Sequence, residues 1–323
     1  MKRKLKPISL KGLKRYSIRS RKSKVETDLL GKPIPRGASF ADFVNCLPDI
    51  LGAKQIKEVA SAIVKARKKD RPVILAMGAH PIKVGLSPII IDLMEEGIIT
   101  ALATNGAAIV HDFEIAYAGH TSEDVAASLC NGSFGMAKET GSLLNRAIKD
   151  GAKRGSGLGL AVGEFIGKSR GFINRTHSLF YNAYSLGIPA TVHVAIGTDI
   201  IHMHPECDGA ALGSATYRDF RLFASLVSEL EGGVFINLGS AVLMPEVFLK
   251  ALTIARNLGH RVEHFTAVTM DFMRHYRATV NIVERPTLSG GRGYYLIGHH
   301  EIMFPLLAAM IKTVNYKKAN SKQ

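Results

Sequence analysis

Short apolar runs alternate along the chain with segments of helical periodicity. The first apolar run, residues 72–77, ends at Gly78 and is followed by a helical pattern over residues 87–96. A second apolar run, residues 98–104, ends at Asn105-Gly106. Because strand, helix and strand in this order form a βαβ unit, the pattern predicts an α/β protein with a mostly parallel sheet.

The same pattern predicts further elements. Buried strands are predicted at residues 190–196, 233–238 and 262–269. Helices are predicted at residues 39–51, 53–69, 123–130, 139–150, 216–230 and 245–258. The Gly-rich stretch 151–171 contains Gly155-Ser-Gly-Leu-Gly159, but no strand precedes it. We therefore predict a flexible connection or lid there rather than a dinucleotide-binding loop.

The positive charge of the chain is concentrated near its beginning. Residues 1–38 hold 13 Lys and Arg against Glu26 and Asp28, a net charge of 13 − 2 = +11. The whole chain carries +15, so residues 39–323 carry only 15 − 11 = +4. We therefore predict a basic arm over residues 1–38 and a single domain over residues 39–323. The arm is interpreted as a solvated extension or as a segment that follows nucleic-acid phosphates or an acidic surface.

The cysteines and the longest apolar runs indicate a protein of the cytoplasm. Cys46, Cys130 and Cys207 are odd in number and widely spaced, which argues against a disulfide framework. No apolar run reaches the roughly 18–20 residues needed to cross a bilayer. We therefore expect no membrane partner and no secretory signal.

Candidate chemistry lies where strands are predicted to end. Parallel sheets bind ligands beyond the carboxyl ends of their strands. The candidate loops are residues 78–83, 105–112, 197–204 and 239–241. Each has a glycine or a small residue where the strand should end, which allows a ligand to approach the backbone closely.

Residues 104–114 bring three titratable groups, His111, Asp112 and Glu114, to one helical turn. His111 transfers protons near neutral pH, and a neighbouring Asp112 can orient it. The alternative is that Asp112 caps a helix and His111 is a hydrogen-bonded core residue. Asp199 and His202 form a second candidate acid–base pair in the loop of residues 197–204.

Several histidines and acidic residues also resemble metal ligands. If residues 202–204 are extended, His202 and His204 face the same side, as two ligands of one ion should. His300 and Glu301 are further candidates. The sequence has no HExxH and no paired CxxC motif, so we predict no metal site and keep these four residues as weak candidates.

Four short segments, in order along the chain, resemble a known family. They are residues 78–83, residues 103–108 followed by Val-His-Asp-Phe at 110–113, residues 239–242, and residues 298–307 with their Phe-Pro-Leu-Leu ending. Over residues 71–310 they resemble deoxyhypusine synthases. The resemblance implies a Rossmann-like, doubly wound fold that binds NAD and assembles into homotetramers. It assigns contacts with NAD to Gly78, Ala79, His80, Thr104, Asn105, Gly106, Gly239, Ser240, Gly298 and His299.

The sequence departs from this family where the family's covalent chemistry lies. In the family, the nucleophilic lysine follows a Trp-Gly pair before the last segment. This chain has no Trp at all, and its residues 286–297 contain no Lys. Without that amine the enzyme–imine intermediate cannot form. We therefore expect a small-molecule substrate and hydride transfer to NAD rather than the family's transfer reaction.

In the leading hypothesis His111 or His202 is the general base, and Asp112 or Asp199 orients it. One alternative is a metal-assisted hydrolase or lyase that uses His202, His204 and His299. Another is a nucleotide-binding regulator without catalytic activity, whose basic arm contacts nucleic acid.

Overall fold

The computed structural model describes the backbone of residues 5–320 and the side chains of residues 5–313. Within this part of the chain, six parallel strands form one sheet in the order β3-β2-β1-β4-β5-β6. The strands are β1 (Val73–Met77), β2 (Ala101–Asn105), β3 (Ala190–His193), β4 (Val234–Leu238), β5 (Thr266–Asp271) and β6 (Arg292–Ile297). The predicted α/β, doubly wound, parallel architecture is confirmed, since this is the strand order of a Rossmann-type sheet.

Thirteen α-helices lie within the described residues. They are α1 (Phe40–Cys46), α2 (Leu51–Lys68), α3 (His80–Lys83), α4 (Ser87–Glu95), α5 (Gly106–Ala118), α6 (Val125–Leu129), α7 (Lys138–Lys153), α8 (Leu158–Lys168), α9 (Leu179–Leu186), α10 (Gly209–Ser228), α11 (Leu243–Asn257), α12 (Tyr276–Ala278) and α13 (His300–Asn320). None of these described helices is both long and apolar enough to cross a membrane.

The central strands are apolar throughout because both faces of the sheet are covered. All residues of β1 and β4 are buried. Such continuous apolar strands are typical of parallel sheets packed between helices. On one face, Phe223 of α10 and Phe248 of α11 pack with Phe235 of β4 in the core.

The described residues fall into two compact units, with the boundary between Ile50 and Leu51. The first unit contains α1, which Ser39 and Asp42 begin with a capping box of reciprocal hydrogen bonds at 3.2 and 3.0 Å. The second unit contains the whole sheet. Residues 1–4 of the predicted arm and residues 321–323 of the predicted domain lie outside the described residues.

Two local predictions differ from the structure, and some elements were not predicted. Residues 151–171 are not a flexible connection, since α8 occupies most of them. Ile200–Met203 is a 3₁₀ turn, so His202 and His204 do not lie on an extended segment. The edge strand β6 and the helix α13 were not predicted, because their apolar residues follow neither period clearly.

Candidate functional site

All strands direct their carboxyl ends to one edge of the sheet, because every neighbouring pair is parallel. The strand order reverses between β1 and β4, which is the position where open α/β sheets bind ligands. Two groups of polar residues lie along this edge. One follows β1 and β4, and the other surrounds α5.

The loops after β1 and β4 touch through their glycines. The N–H of Gly78 donates to the carbonyl oxygen of Leu238 at 3.2 Å, and a Cβ on Gly78 would lie 2.7 Å from the oxygen of Gly239. Gly239 has a φ of +65°, and a Cβ there would lie 2.9 Å from the His300 ring. Only glycine permits this approach of two backbones and one ring.

His300 lies beside Gly239 and carries an acceptor nitrogen that has no donor among the described residues. Its Nε2 donates to the carbonyl oxygen of Met270 at 3.3 Å, which leaves Nδ1 without a proton and, among the described residues, without a partner. Burial lowers the pKa of His300, which keeps the ring neutral. The rings of His80 and Phe272 lie 5.2 and 6.2 Å from it, measured between centroids. We call Gly78, His80, Gly239, Phe272 and His300 the switch-point cluster.

The other residues that the resemblance assigned to contacts with NAD at this edge do not share one environment. Ala79 precedes α3, and the buried Ser240 hydroxyl accepts from the N–H of Met244 at 3.2 Å. A Cβ on Gly298 would meet the Met303 side chain at 2.6 Å, so the chain itself fills that space. His299 is exposed, with Nδ1 3.8 Å from a carboxylate oxygen of Glu301.

Helix α5 supplies the second group. Thr104 is fully buried at the end of β2, and the Asn105 side chain caps α5 by accepting from the N–H of Ala108 at 3.1 Å. One face of α5 lines a cavity of about 530 Å³, which we call the α5 cavity. Its other walls come from α3, residues 119–125, the start of α7 and residues 198–200.

His111 lines this cavity at the end of a directed hydrogen-bond chain. The Thr121 hydroxyl donates to Oε2 of Glu114 at 2.5 Å, so its oxygen accepts from Nδ1 of His111 at 2.7 Å. The Thr140 hydroxyl donates to the other oxygen of Glu114 at 2.9 Å. With its proton held on Nδ1, neutral His111 keeps a free lone pair on Nε2. Burial lowers the pKa of His111, Glu114 opposes this effect and Lys83 adds to it.

Asp199 and His202 form a buried pair beside the start of α5. The N–H groups of Gly197 and Asp199 donate to Nδ1 of His202 at 3.1 and 3.3 Å, so neutral His202 carries its proton on Nε2. That Nε2 lies 4.0 Å from Oδ2 of Asp199, and neither atom has a hydrogen-bond partner among the described residues.

The environment of Asp199 raises its pKa. A Cβ on Gly106 would lie 2.0 Å from Oδ2 of Asp199, so this carboxyl group fills the space above the first residue of α5. Burial raises the pKa of Asp199 to about 6, although a hydrogen bond from Thr198 lowers it. Burial also lowers the pKa of His202. The glycine predicted to approach NAD is thus covered by a residue of the chain.

Asp112, predicted as catalytic, lies away from the cavity. It is fully buried, and its oxygens accept from the Ser178 hydroxyl at 2.5 Å and the N–H groups of Leu179 and Phe180 at 2.6 and 3.4 Å. These groups form the start of α9, so Asp112 holds α9 against α5. It does not orient His111. The physical reason is the helical spacing, since adjacent residues of α5 point in directions about 100° apart.

The weak metal candidates do not converge. His202 lies beside Asp199, whereas His204 packs on Gly141 and has its Nε2 2.9 Å from the carbonyl oxygen of Gly135. His300 belongs to the switch-point cluster. Within residues 5–313, whose side chains the structure describes, no three His, Cys, Asp or Glu side chains are grouped as metal ligands.

Three residues of the α5 cavity were not predicted from the sequence. Thr121 and Thr140 complete the hydrogen-bond chain with Glu114, and Lys83 lines the wall opposite. Lys83 lies in a loop that the sequence had singled out. The threonines carry no comparable signal, because their role depends on loops that follow α5.

Comparisons with protein-family models and with curated proteins gave no match. Solved structures with similar folds do exist. The ternary complex of AgrE with ornithine and NAD⁺ is 15% identical with a TM-score of 0.52, over 81% of this chain and 33% of that chain. The present chain therefore spans about a third of the length of AgrE.

Two further structures have similar statistics. A conserved LOR/SDH protein from Methanococcus maripaludis S2 is 15% identical with a TM-score of 0.50, over 83% of this chain and 71% of that chain. A deoxyhypusine synthase assigned in Entamoeba histolytica is 16% identical with a TM-score of 0.48, over 87% and 95%. At these identities the likeness to AgrE and to the LOR/SDH protein shows a common α/β fold.

Proposed function

We propose that this chain is an enzyme that removes a proton from a small polar substrate in the α5 cavity, with His111 as general base. The observation that carries this proposal is the chain from His111 through Thr121 to Glu114. It fixes the tautomer and directs the basic Nε2 away from its partners. The lowered pKa keeps the ring in its basic form at neutral pH.

The buried pair supports substrate binding. Asp199 lines the cavity, and its Oδ2 and the Nε2–H of His202 are an acceptor and a donor without partners among the described residues. Both atoms are closed to solvent in this conformation, so a hydroxyl or amine group of the substrate would satisfy them once the Asp199 side chain moves away from Gly106. Leaving such atoms unpaired in a buried place costs free energy, so a polar ligand is favoured there.

NAD is part of the proposal. NAD would bind at the switch-point cluster, where the backbones of Gly78 and Gly239 approach each other closely and the buried Nδ1 of His300 has no donor among the described residues. NAD bound there would supply hydride acceptance for the substrate carbon. Helix α3 connects the two places, because His80 belongs to the cluster and Lys83 to the cavity wall. The complex of AgrE with NAD⁺ supports this choice by likeness of fold.

We do not propose deoxyhypusine synthase activity. Strand β6 and the residues before it contain no lysine between 286 and 297. The family's covalent route therefore has no nucleophile at that position. Proton removal and hydride transfer need no such group.

The proposal is tested by titrating the full chain with NAD⁺ in a calorimeter and by following NADH absorbance with a panel of small alcohols and amines. We expect NAD⁺ to bind and at least one compound to be oxidised. His111→Gln should lower the turnover roughly 10²–10⁴-fold and leave NAD⁺ binding unchanged. The matched control is His120→Gln, since His120 lines the same cavity outside the hydrogen-bond chain.

Two results would contradict the proposal. One is the absence of NAD⁺ binding at millimolar concentration. The other is equal turnover in His111→Gln and His120→Gln. The hydrogen-bond chain is tested separately by nitrogen NMR of His111. Thr121→Val removes the hydroxyl that accepts from Nδ1, so the preference for the Nδ1–H tautomer should be lost.

A further inference from the structure

A second large cavity lies at the opposite edge of the sheet from the α5 cavity. Its volume is about 510 Å³, and it lies at the amino ends of β1, β4, β5 and β6 beside α2. Because the residues proposed for catalysis follow the carboxyl ends of the strands, this cavity is separate from them. We call it the amino-end cavity.

Four cationic side chains line the amino-end cavity. They are Lys65, Lys69, Arg71 and Arg292. Within the described part of the chain, none of these four forms a salt bridge. Arg71 lies along Gly232, whose missing side chain leaves its guanidinium room at the wall.

The two carboxylates of the wall are already engaged. Glu231 accepts from the N–H groups of Glu263 and His264 at 2.7 and 2.9 Å, and lies 3.0 Å from Nδ1 of His264. Glu58 and Arg292 are both hydrogen-bonded to the Tyr294 hydroxyl. The wall therefore holds four cations and two carboxylates, whose partners His264 and Tyr294 belong to the same wall, and the cavity has an excess of positive charge.

We propose that the amino-end cavity binds a compact polyphosphate, such as inorganic triphosphate or the phosphates of a nucleoside triphosphate. Adjacent phosphates present several negative charges within a few ångströms, which suits four cations that line one cavity better than a single carboxylate does. The two arginines provide forked hydrogen bonds and the two lysines compact charges. The cavity volume falls in the range of small-ligand sites, roughly 300–1,000 Å³.

The test is calorimetric titration of the full chain with triphosphate, with ATP and with orthophosphate at about 0.15 M salt. We expect triphosphate to bind at least about tenfold more tightly than orthophosphate. ATP binding as tightly as triphosphate indicates a nucleotide ligand, and weaker ATP binding indicates the inorganic ion. Equal binding of triphosphate and orthophosphate, or no binding, would overturn the proposal.

The basic arm also attracts anions. Variants are therefore needed to show whether triphosphate binds in the amino-end cavity or to the arm. Lys65→Gln with Arg71→Gln should weaken triphosphate binding about tenfold or more, since two charged contacts are lost. The matched control, Lys22→Gln with Lys24→Gln, removes the same charge from the arm and should leave binding unchanged. Glu58→Gln should tighten binding by removing a negative charge from the wall. If the arm variant loses as much affinity as the cavity variant, the cavity is not the site.

Discussion

At the scale of single residues, Asp219 joins its own helix to two other elements through one buried carboxylate oxygen. Its Oδ2 accepts from the N–H groups of Gly159 and Val192 at 2.9 and 2.8 Å, which ties α10 to α8 and β3. Its Oδ1 has no partner among the described residues. Burial raises the pKa of Asp219 to about 7, even though the donated hydrogen bonds lower it. The folded chain therefore holds a proton that the unfolded chain releases near pH 4.

This proton makes the contribution of Asp219 to stability depend on pH. Because the folded pKa is raised, the contribution is fully present below about pH 4 and is lost as the pH rises through about 7. Asp219→Asn removes the titration. The free energy of unfolding of the wild type relative to this variant should fall by on the order of 2–4 kcal/mol over that range, measured by urea unfolding.

A control lies on the same helix. Asp208 caps α10 at the surface, and the Ala211 N–H leads the groups that lower its pKa. Its contribution is present above its unfolded pKa and is lost as the pH falls. Asp208→Asn should thus show the opposite trend. If both variants changed with pH in the same direction, burial would not be the cause.

At the scale of elements, α8 forms despite its glycines because they allow close packing. A Cβ on Gly159 would lie 2.1 Å from the carbonyl oxygen of Ala190, and one on Gly163 would lie 2.3 Å from that of Phe180. The two glycines are four residues apart and therefore share one face of the helix. The low helix propensity of glycine is overcome by contact of this face with β3 and α9.

Gly159→Ala should therefore destabilise the protein. The added methyl group meets backbone atoms that cannot move aside, so we expect a loss of about 1–3 kcal/mol in thermal unfolding. Gly213→Ala is the matched control in α10, because nothing lies within 4 Å of a Cβ there. It should stabilise the protein by about 0.5–1 kcal/mol. Stabilisation by both changes would mean that α8 is not closely packed.

At the scale of the whole molecule, a group of apolar side chains is exposed beyond β5 and β6. Phe272, Met273, Tyr276 and Ile297 are each about half exposed or more, and Ile302 of α13 is 62% exposed. Large exposed apolar patches usually mark protein interfaces. The assembly of the chain with copies of itself, expected from the sequence, stays a prediction for this surface.

We expect sedimentation to show an oligomer that depends on this patch. Phe272→Glu with Ile302→Glu should shift the mass toward the monomer, because charges would be buried in the interface. Leu258→Glu is the control, since Leu258 is 70% exposed at the end of α11. A monomeric wild type, or equal dissociation of both variants, would exclude an interface at this patch.

The sequence by itself determined the local features of this protein. The pattern of apolar residues located β1, β2 and β4 and the helices α2, α7 and α11, because buried positions of each element are apolar. It did not locate α13, the longest described helix. The glycines after these strands marked the edge where polar residues gather. His111, Asp199 and His202 were named from the chemistry of their side chains alone.

Only the tertiary structure decided which side chains are hydrogen-bonded to one another. Thr121 and Thr140 reach Glu114 from residues that follow it by 7 and 26 positions, and Asp112 turns to α9, 66 positions away. The strand order and the separation of the α5 cavity from the switch-point cluster also depend on packing. Hydrogen-bond partners that are distant in sequence leave no periodic pattern in the sequence, because each contact forms only when two elements pack against each other.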